Sequence, residues 1–459
     1  MSAPLRLPTG LALVCSACGA ASDDPLAFRC AAARPGDDID HVLSPPEPPL
    51  DAWADDAPAE DADPFVRYRT MLHAYRLHRA WGGAEAGYLA LVEELQAAID
   101  RLDGRRFRTT PLHPVPAAAL LGTAGAAGRV WVKDETVNPS GSHKGRHLFG
   151  LALHLRVVAA ARARGGAADT GRADETRPRL AISSCGNAAL AAAVVAAAAG
   201  YPLEVFVPPD AAASVLQRLD GLGAAITVCP RAPGERGDPC FTRFLEAVGA
   251  GALPFAAQGP QNGLTLDGAA TLGYELADQL RAAGAAPAVL AVQVGGGALG
   301  ASVALGLRRA VERGRLDRLP ALHGVQTTGA APLERADRLV HAAAAAAGSF
   351  EAALAHAARH RSSVMWPWEQ PPHSIAGGIL DDETYDWRAL VDAMHASGGG
   401  PVVVTEEQLA RANELGRAAT GIDADHTGTA GLAGLLALAA AGRLAPSGDA
   451  VVLFTGQRR

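Results

Sequence analysis

Lysine is nearly missing from this chain of 459 residues: of 41 basic side chains only Lys133 and Lys144 are lysines, and the other 39 are arginines. Asparagine is as scarce, confined to Asn138, Asn187, Asn262 and Asn413. The six cysteines, at positions 15, 18, 30, 185, 229 and 240, are too scattered for a disulfide framework and read as reduced thiols. No long basic run exists and the formal net charge is −7, which argues against a nucleic-acid-binding surface. Long apolar runs are missing as well. The longest, such as Ala188 to Gly200, are alanine-rich and fall short of the roughly 18 to 20 residues that span a bilayer. Residues 11–15, LALVC, follow a single Arg6, but their apolar core is too short for a lipoprotein signal, and a cytoplasmic protein is expected.

What remains is a chain that is 49% hydrophobic and long enough for two or three domains. The arginine and alanine bias has the mark of a GC-rich genome. Where drift has turned nearly every lysine into arginine, a surviving lysine is one needed as lysine. Lysine alone of the pair can lose its proton and attack a carbonyl. Both lysines fall in the stretch 133–144, which is the first pointer to chemistry.

Near the N-terminus, Cys15-Ser-Ala-Cys18 is half of a zinc knuckle, since two thiolates at that spacing can share one ion. The second half retains only Cys30, and His41 lies an unusual eleven residues further on. The segment is therefore expected to be a degenerate ribbon over residues 1–43, with zinc at Cys15, Cys18 and Cys30 a doubtful addition. Residues 44–64 hold seven acids, no base and several prolines, and read as a linker or extended strap. Tyr88, Val92, Leu95, Ile99 and Leu102 recur with helical spacing, which predicts an amphipathic helix over 85–102.

From residue 129 short apolar runs alternate with helical stretches. Buried strands are predicted at 129–133, 180–183, 203–207, 225–229, 289–294, 322–326 and 450–454, with 165–179 a solvated loop. Alternation of this kind implies open, mostly parallel sheets of an α/β protein, whose ligands gather at the carboxyl ends of strands. Three of those ends are unusual: KDETVNPSGSHKGR from Lys133, SSCGN from Ser183, and GGGALG from Gly295. Gly295, Gly297 and Gly300 satisfy a dinucleotide G-x-G-x-x-G pattern, but an NAD-dependent oxidoreductase leaves the two lysines unexplained, and no convincing acid follows the next strand.

The ordered motifs KDETVNPSGSHKGR, SSCGN, LDGAATLGYEL, QVGGGALG and terminal LFTG resemble those of the fold-type II pyridoxal-phosphate enzymes, which include threonine synthase, the serine and threonine dehydratases and the tryptophan synthase β chain. The resemblance covers residues 105–459. It implies two α/β domains with the cofactor in the cleft between them: a large one of residues 65–146 and 261–459, and a small one of residues 147–260. It implies that Lys144 carries pyridoxal 5'-phosphate, that Gly295, Gly296, Gly297 and Gly300 cradle its phosphate, and that Asn187 and Thr455 meet its ring hydroxyl and ring nitrogen. Ser184, Cys185 and Gly186 match the loop that grips a substrate carboxylate. Lys133 is expected to be a structural ion-pair partner.

His143 stands where the family usually has Phe. It is carried as a candidate proton-transfer residue beside the plainer reading that it packs on the cofactor; His147 and Arg146 are weaker candidates, the latter for a substrate phosphate. A hydroxyl at the ring nitrogen makes a weaker electron sink, which favours loss of a β-substituent over transamination. The expected enzyme is a lyase of the ammonia-lyase type, or a β-replacement enzyme, acting on a small amino acid as a homodimer, with Lys144 taking the α-proton. Threonine synthase acting on phosphohomoserine is the alternative; a catalytically silent cofactor-binding protein is a third reading.

Overall fold

The computed structural model describes residues 5–34, 36–53, 62–121, 128–164, 177–235, 237–444 and 448–459. Three sheets organise them. A small N-terminal ribbon is built from β1 (Leu13–Cys15), β2 (Ala21–Ser22) and β3 (Leu43–Ser44), with β1 in the middle and both neighbours antiparallel to it. The larger sheet contains β4 (Leu112–Pro116), β5 (Arg129–Asp134), β10 (Val289–Gln293), β11 (Ala321–Thr327), β12 (Val402–Val404) and β13 (Ala450–Phe454), in the order β12-β11-β10-β13-β5-β4. The smaller contains β6 (Leu180–Ser183), β7 (Leu203–Val207), β8 (Ala225–Val228) and β9 (Leu253–Pro254), in the order β8-β7-β6-β9. All strands of both sheets run parallel except β4, which is antiparallel to β5.

The seven predicted strands all form. β10 and β13 are buried along their whole length, because helices cover both faces of a parallel sheet. β4, β9 and β12 were not expected, while the ribbon was expected over 1–43 without its strands being placed. β4 reads Leu-His-Pro-Val-Pro, and its two prolines are tolerated because it is the edge of the sheet. The helix predicted over 85–102 spans Glu85–Asp103 and buries Tyr88, Val92, Leu95 and Ile99, but Leu102 is exposed. The helix Glu406–Thr420 opens with the expected capping box, Thr405 and Gln408 each bonding the other's backbone.

Strands of the small sheet lie within 180–254, and those of the large sheet within 112–134 and 289–454. The expected border at 146/147 falls inside the helix Lys144–Arg164, which belongs to both bodies: it packs on Thr265–Ala282 and on Asn187–Ala199. The first of these crossings is close. A Cβ on Gly150 would lie 2.6 Å from the Cα of Gly268, so two bare backbones set the distance between the helices.

The acidic segment after β3 is a strap. Glu47 pairs with both Arg308 and Arg309, and the Trp53 ring is buried against Tyr68 and Tyr274. Residues 54–61 of that segment, and 165–176 of the predicted solvated loop, lie outside the described residues.

Candidate active site

β5 ends at Asp134, and the ten residues after it lead to Lys144 at the first turn of its helix. This connection is pinned at several points. Ser140 holds a left-handed φ of 59°, rare for a residue with a side chain, and its amide donates to Asp103. Ser142 bridges Gly456, and the His143 amide donates to the Thr455 carbonyl at 3.3 Å. The segments carrying Lys144 and Thr455 are thereby held side by side at the carboxyl ends of β5 and β13.

Lys144 is half-buried. Burial lowers the pKa of its amine, and the facing carboxylates of Asp381 and Asp386 oppose that shift. A lysine that gives up its proton more readily is better suited to attack a carbonyl. The two acids were not foreseen. Asp381 is half-buried and Asp386 is buried; burial pushes Asp381 up to about 6 and Asp386 to about 7, against the pull of Lys144.

The glycine turn after β10 lies under the same segment. Gly297 has a φ of 101°, which favours glycine, and it caps the helix Ala298–Glu312. A Cβ on Gly295 would come within 2.4 Å of an Asp381 carboxylate oxygen. The Gly296 N–H faces that carboxylate too and opposes the rise that burial causes. Gly300 lies one turn into the helix, where its missing side chain makes room for Leu390.

At the end of β6, Ser184, Cys185 and Gly186 open onto the helix Asn187–Ala199, with Cys185 exposed and its neighbours half-buried. The Ser184 amide donates to the Phe206 carbonyl and the Gly186 amide to the Ser184 hydroxyl, and the first-turn amides of a helix suit a carboxylate. Asn187 meets the Gly456 backbone and donates to Asp425, the N-cap of the helix His426–Ala440. Thr455 is buried, and its hydroxyl oxygen accepts from the Gln293 side-chain amide at 2.5 Å. With that lone pair occupied, the Thr455 proton is free to be donated elsewhere.

Two candidates fall away from the cleft chemistry. Arg146 is fully buried between Glu135 and Glu275, its guanidinium spent on both, so it is no phosphate ligand. Lys133 pairs with Glu275 in the same cluster, the structural role expected of it. His143 and His147 are buried, edge to face at 5.8 Å, bonded through Nδ1 to the carbonyls of Thr455 and Thr265, and each Nε2 has no partner among the described residues. Burial first, then Lys144, keeps both neutral: His143 titrates well below the usual histidine range and His147 at about 3.

A lysine of lowered pKa, a glycine turn at a helix start, a second helix start, an amide and a hydroxyl are groups of the kind that can hold pyridoxal phosphate. Residues 105–456 match the model of the family described as pyridoxal-phosphate dependent enzyme. The chain belongs to that family. Its cofactor is pyridoxal 5'-phosphate. Among curated relatives, threonine synthase of Mycobacterium leprae (strain TN) is 27% identical over 385 residues, covering 83% of this chain and 89% of that protein. Threonine synthase of Synechocystis sp. is 25% identical over 372 residues, 81% of this chain and 78% of that one. Two solved structures share the fold. A threonine deaminase from T.th. matches with a TM-score of 0.55 at 23% identity, over 80% of this chain and 98% of that one. Diaminopropionate ammonia lyase of Escherichia coli matches with 0.56 at 17%, over 80% and 88%.

Asp381, Asp386, Asp425 and Gln293 are the site residues that sequence reasoning passed over. Gln293 opens the QVGGG motif and was within reach. The acids of Asp381-Asp-Glu-Thr-Tyr-Asp386 look like a solvated turn in the sequence, and only the fold brings them over the glycine turn. No helix among the described residues is long and apolar enough to cross a membrane.

Proposed function

We propose that this enzyme is a lyase of the ammonia-lyase type, or a β-replacement enzyme, acting on a small amino acid. The observation that carries the reading is the setting of Lys144: an amine with a lowered pKa at a strand end, faced by Asp381 and Asp386. Bound pyridoxal phosphate supplies an electron sink for the substrate's Cα. The chain's own groups do the rest. The turn of Ser184, Cys185 and Gly186 would hold the substrate carboxylate, and Lys144, free as an amine, would take the α-proton. Thr455, its oxygen engaged by Gln293, would offer a neutral donor to the ring nitrogen of the bound cofactor, and Asn187 would meet its ring hydroxyl. A neutral partner in place of a carboxylate would favour expulsion of a β-substituent over transamination. Asp381 and Asp386 suit a leaving group that is amine or hydroxyl, since they can donate a proton near neutrality or hold a cation.

The relatives favour a second reading, threonine synthase acting on phosphohomoserine. Against it stands Arg146, the candidate for a substrate phosphate, which is locked in its ion cluster. Titration of the purified holoenzyme with serine, threonine, cysteine, 2,3-diaminopropionate and phosphohomoserine separates the two. The visible band of the lysine-bound cofactor is followed together with release of ammonia, sulfide or phosphate, with Lys144→Ala as control. Ammonia from serine, threonine or diaminopropionate supports the lyase. Phosphate from phosphohomoserine alone overturns it in favour of the synthase.

A further inference from the structure

The ribbon gathers three cysteines and a histidine outside the cleft. β1 delivers Cys15, and a tight turn at Gly19 (φ 74°), closed by the Gly19 amide on the Cys15 carbonyl, presents Cys18 beside it. Cys30 begins a second turn, closed by the Ala33 amide on its carbonyl at 3.1 Å. β3 pairs with β1 so that Leu43 lies opposite Cys15, and this brings His41, two residues earlier, to the two turns. The eleven-residue gap from Cys30, which looked wrong in the sequence, is the path the chain needs to re-enter the sheet.

The four donor atoms all lie within 4.8 Å of one another. Cys18 Sγ is 3.7 Å from Cys30 Sγ, and Cys15 Sγ is 3.4 Å from His41 Nδ1. Zinc with Zn–S of about 2.3 Å and Zn–N of about 2.05 Å has tetrahedral edges of about 3.8 Å between sulfurs and about 3.5 Å between sulfur and nitrogen. Both observed edges agree with these. A disulfide would need about 2.05 Å. The other ring nitrogen of His41 lies 3.3 Å from Asp37, the placement that turns Nδ1 towards a metal. Cys15, Cys30 and His41 are buried, and three thiolates with one imidazole form a closed, soft donor set that selects zinc over magnesium or calcium.

The segment that supplies His41 also touches the cleft. Asp38 and Asp40 bond the backbone of Arg361 and Ala358, and the Arg361 side chain links Asp40 to Glu383. The Leu43 carbonyl lies on Gly263, so close that a Cβ there would fall 1.6 Å from it, and Val42 borders Gly259, whose amide faces Asp386. Between these segments lies a cavity of about 370 Å³ whose walls include Cys30, His41, Gln261, Asp382 and Tyr385.

We infer that Cys15, Cys18, Cys30 and His41 bind one zinc ion, and that this ion fixes residues 37–43 as a wall against 259–263 and 381–386. The metal site stands on the ribbon alone and is independent of which amino acid the enzyme uses.

The test uses the full-length holoenzyme purified without chelator. Elemental analysis should find about one zinc per chain, and exchange of zinc for cobalt should give the intense thiolate-to-cobalt bands of a tetrahedral site. Cys18→Ser, at the exposed ligand and so the change least disruptive to the fold, should lose the metal while the visible band of the cofactor stays. Removing zinc should raise hydrogen exchange at least tenfold in peptides covering 37–43, 259–263 and 381–386, and leave the helix Lys144–Arg164 unchanged. Substoichiometric metal with no uptake of added zinc or cobalt by the reduced protein would overturn the site, as would a Cys18–Cys30 disulfide found by mass. Unchanged exchange on zinc removal would overturn the wall.

Discussion

Replacing Lys133 by methionine should destabilise the protein by about 4 kcal/mol without touching the reacting groups. Lys133, Glu135, Arg146 and Glu275 form a charge-balanced quartet, each at most 1% exposed. Lys133 Nζ donates to Glu275, to the Thr110 carbonyl and to Gln279; Arg146 spans Glu135 and Glu275. Burial alone would raise Glu275, yet Arg146 and Lys133 hold it well below the usual carboxylate range. Without Lys133 two buried carboxylates face a single cation, and breaking a buried pair from one side costs about 3–5 kcal/mol. The Thr110 carbonyl keeps its bond from Gln279 Nε2, so little is added there. At roughly 2.1 cal/mol/K of unfolding entropy per residue, a chain this long loses about 1 °C in Tm per kcal/mol, or about 4 °C in all. Differential scanning calorimetry of Lys133→Met, Glu275→Gln and the double variant measures it. The double variant removes one charge of each sign and should recover at least half of the loss. A single variant within about 1 kcal/mol of the parent, or a double variant whose cost is the sum of the two, would refute the coupling.

Gly150→Ala should destabilise by about 2 kcal/mol in urea titration despite a helix-propensity gain of about 1 kcal/mol, because its Cβ meets the backbone of Gly268, which cannot step aside. His147, titrating at about 3, is neutral in the fold but takes a proton in the unfolded chain below about 6.5; stability should therefore fall as pH drops from 6.5 to 3, and His147→Asn, which keeps a donor for Thr265, should flatten that fall in Tm-against-pH curves. Asp386 has the opposite sign: raised to about 7, it stabilises most below its unfolded value near 3.9 and loses that contribution as pH rises to 7, so Asp386→Asn should make the cofactor-free protein relatively more stable at pH 8 than at pH 4 in the same assay.

The fold was legible where burial is two-sided. β10, β13 and the helix Asn187–Ala199 are apolar without alternation because neighbours cover them on every side, and such runs announce themselves. Elements that exist only through their partners left no local trace: β12 is three residues long, and β4 carries two prolines that make sense only at an edge. The site divided in the same way. Lys144, the glycine turn, Asn187 and Thr455 sit at strand ends, where the pattern of strands points. Asp381 and Asp386 come from a connection between helices, and their position over Gly295 is a property of the fold.

The two surviving lysines stand in different settings. At Lys144 the proposed role asks for an amine that can be neutral and nucleophilic, which arginine cannot be. At Lys133 the need is for a compact cation. The pocket between Thr110, Glu275 and Gln279 is closed to water and already holds the Arg146 guanidinium against the same carboxylate. A second planar guanidinium there would overpack a filled core, at a cost of about 1–3 kcal/mol. Lys133→Arg tests this: it should cost less than Lys133→Met, because the charge stays, and more than nothing, because the volume does not fit. If arginine were accepted without loss, drift would have had no reason to spare the residue, and its proximity to Lys144 would call for a chemical explanation after all.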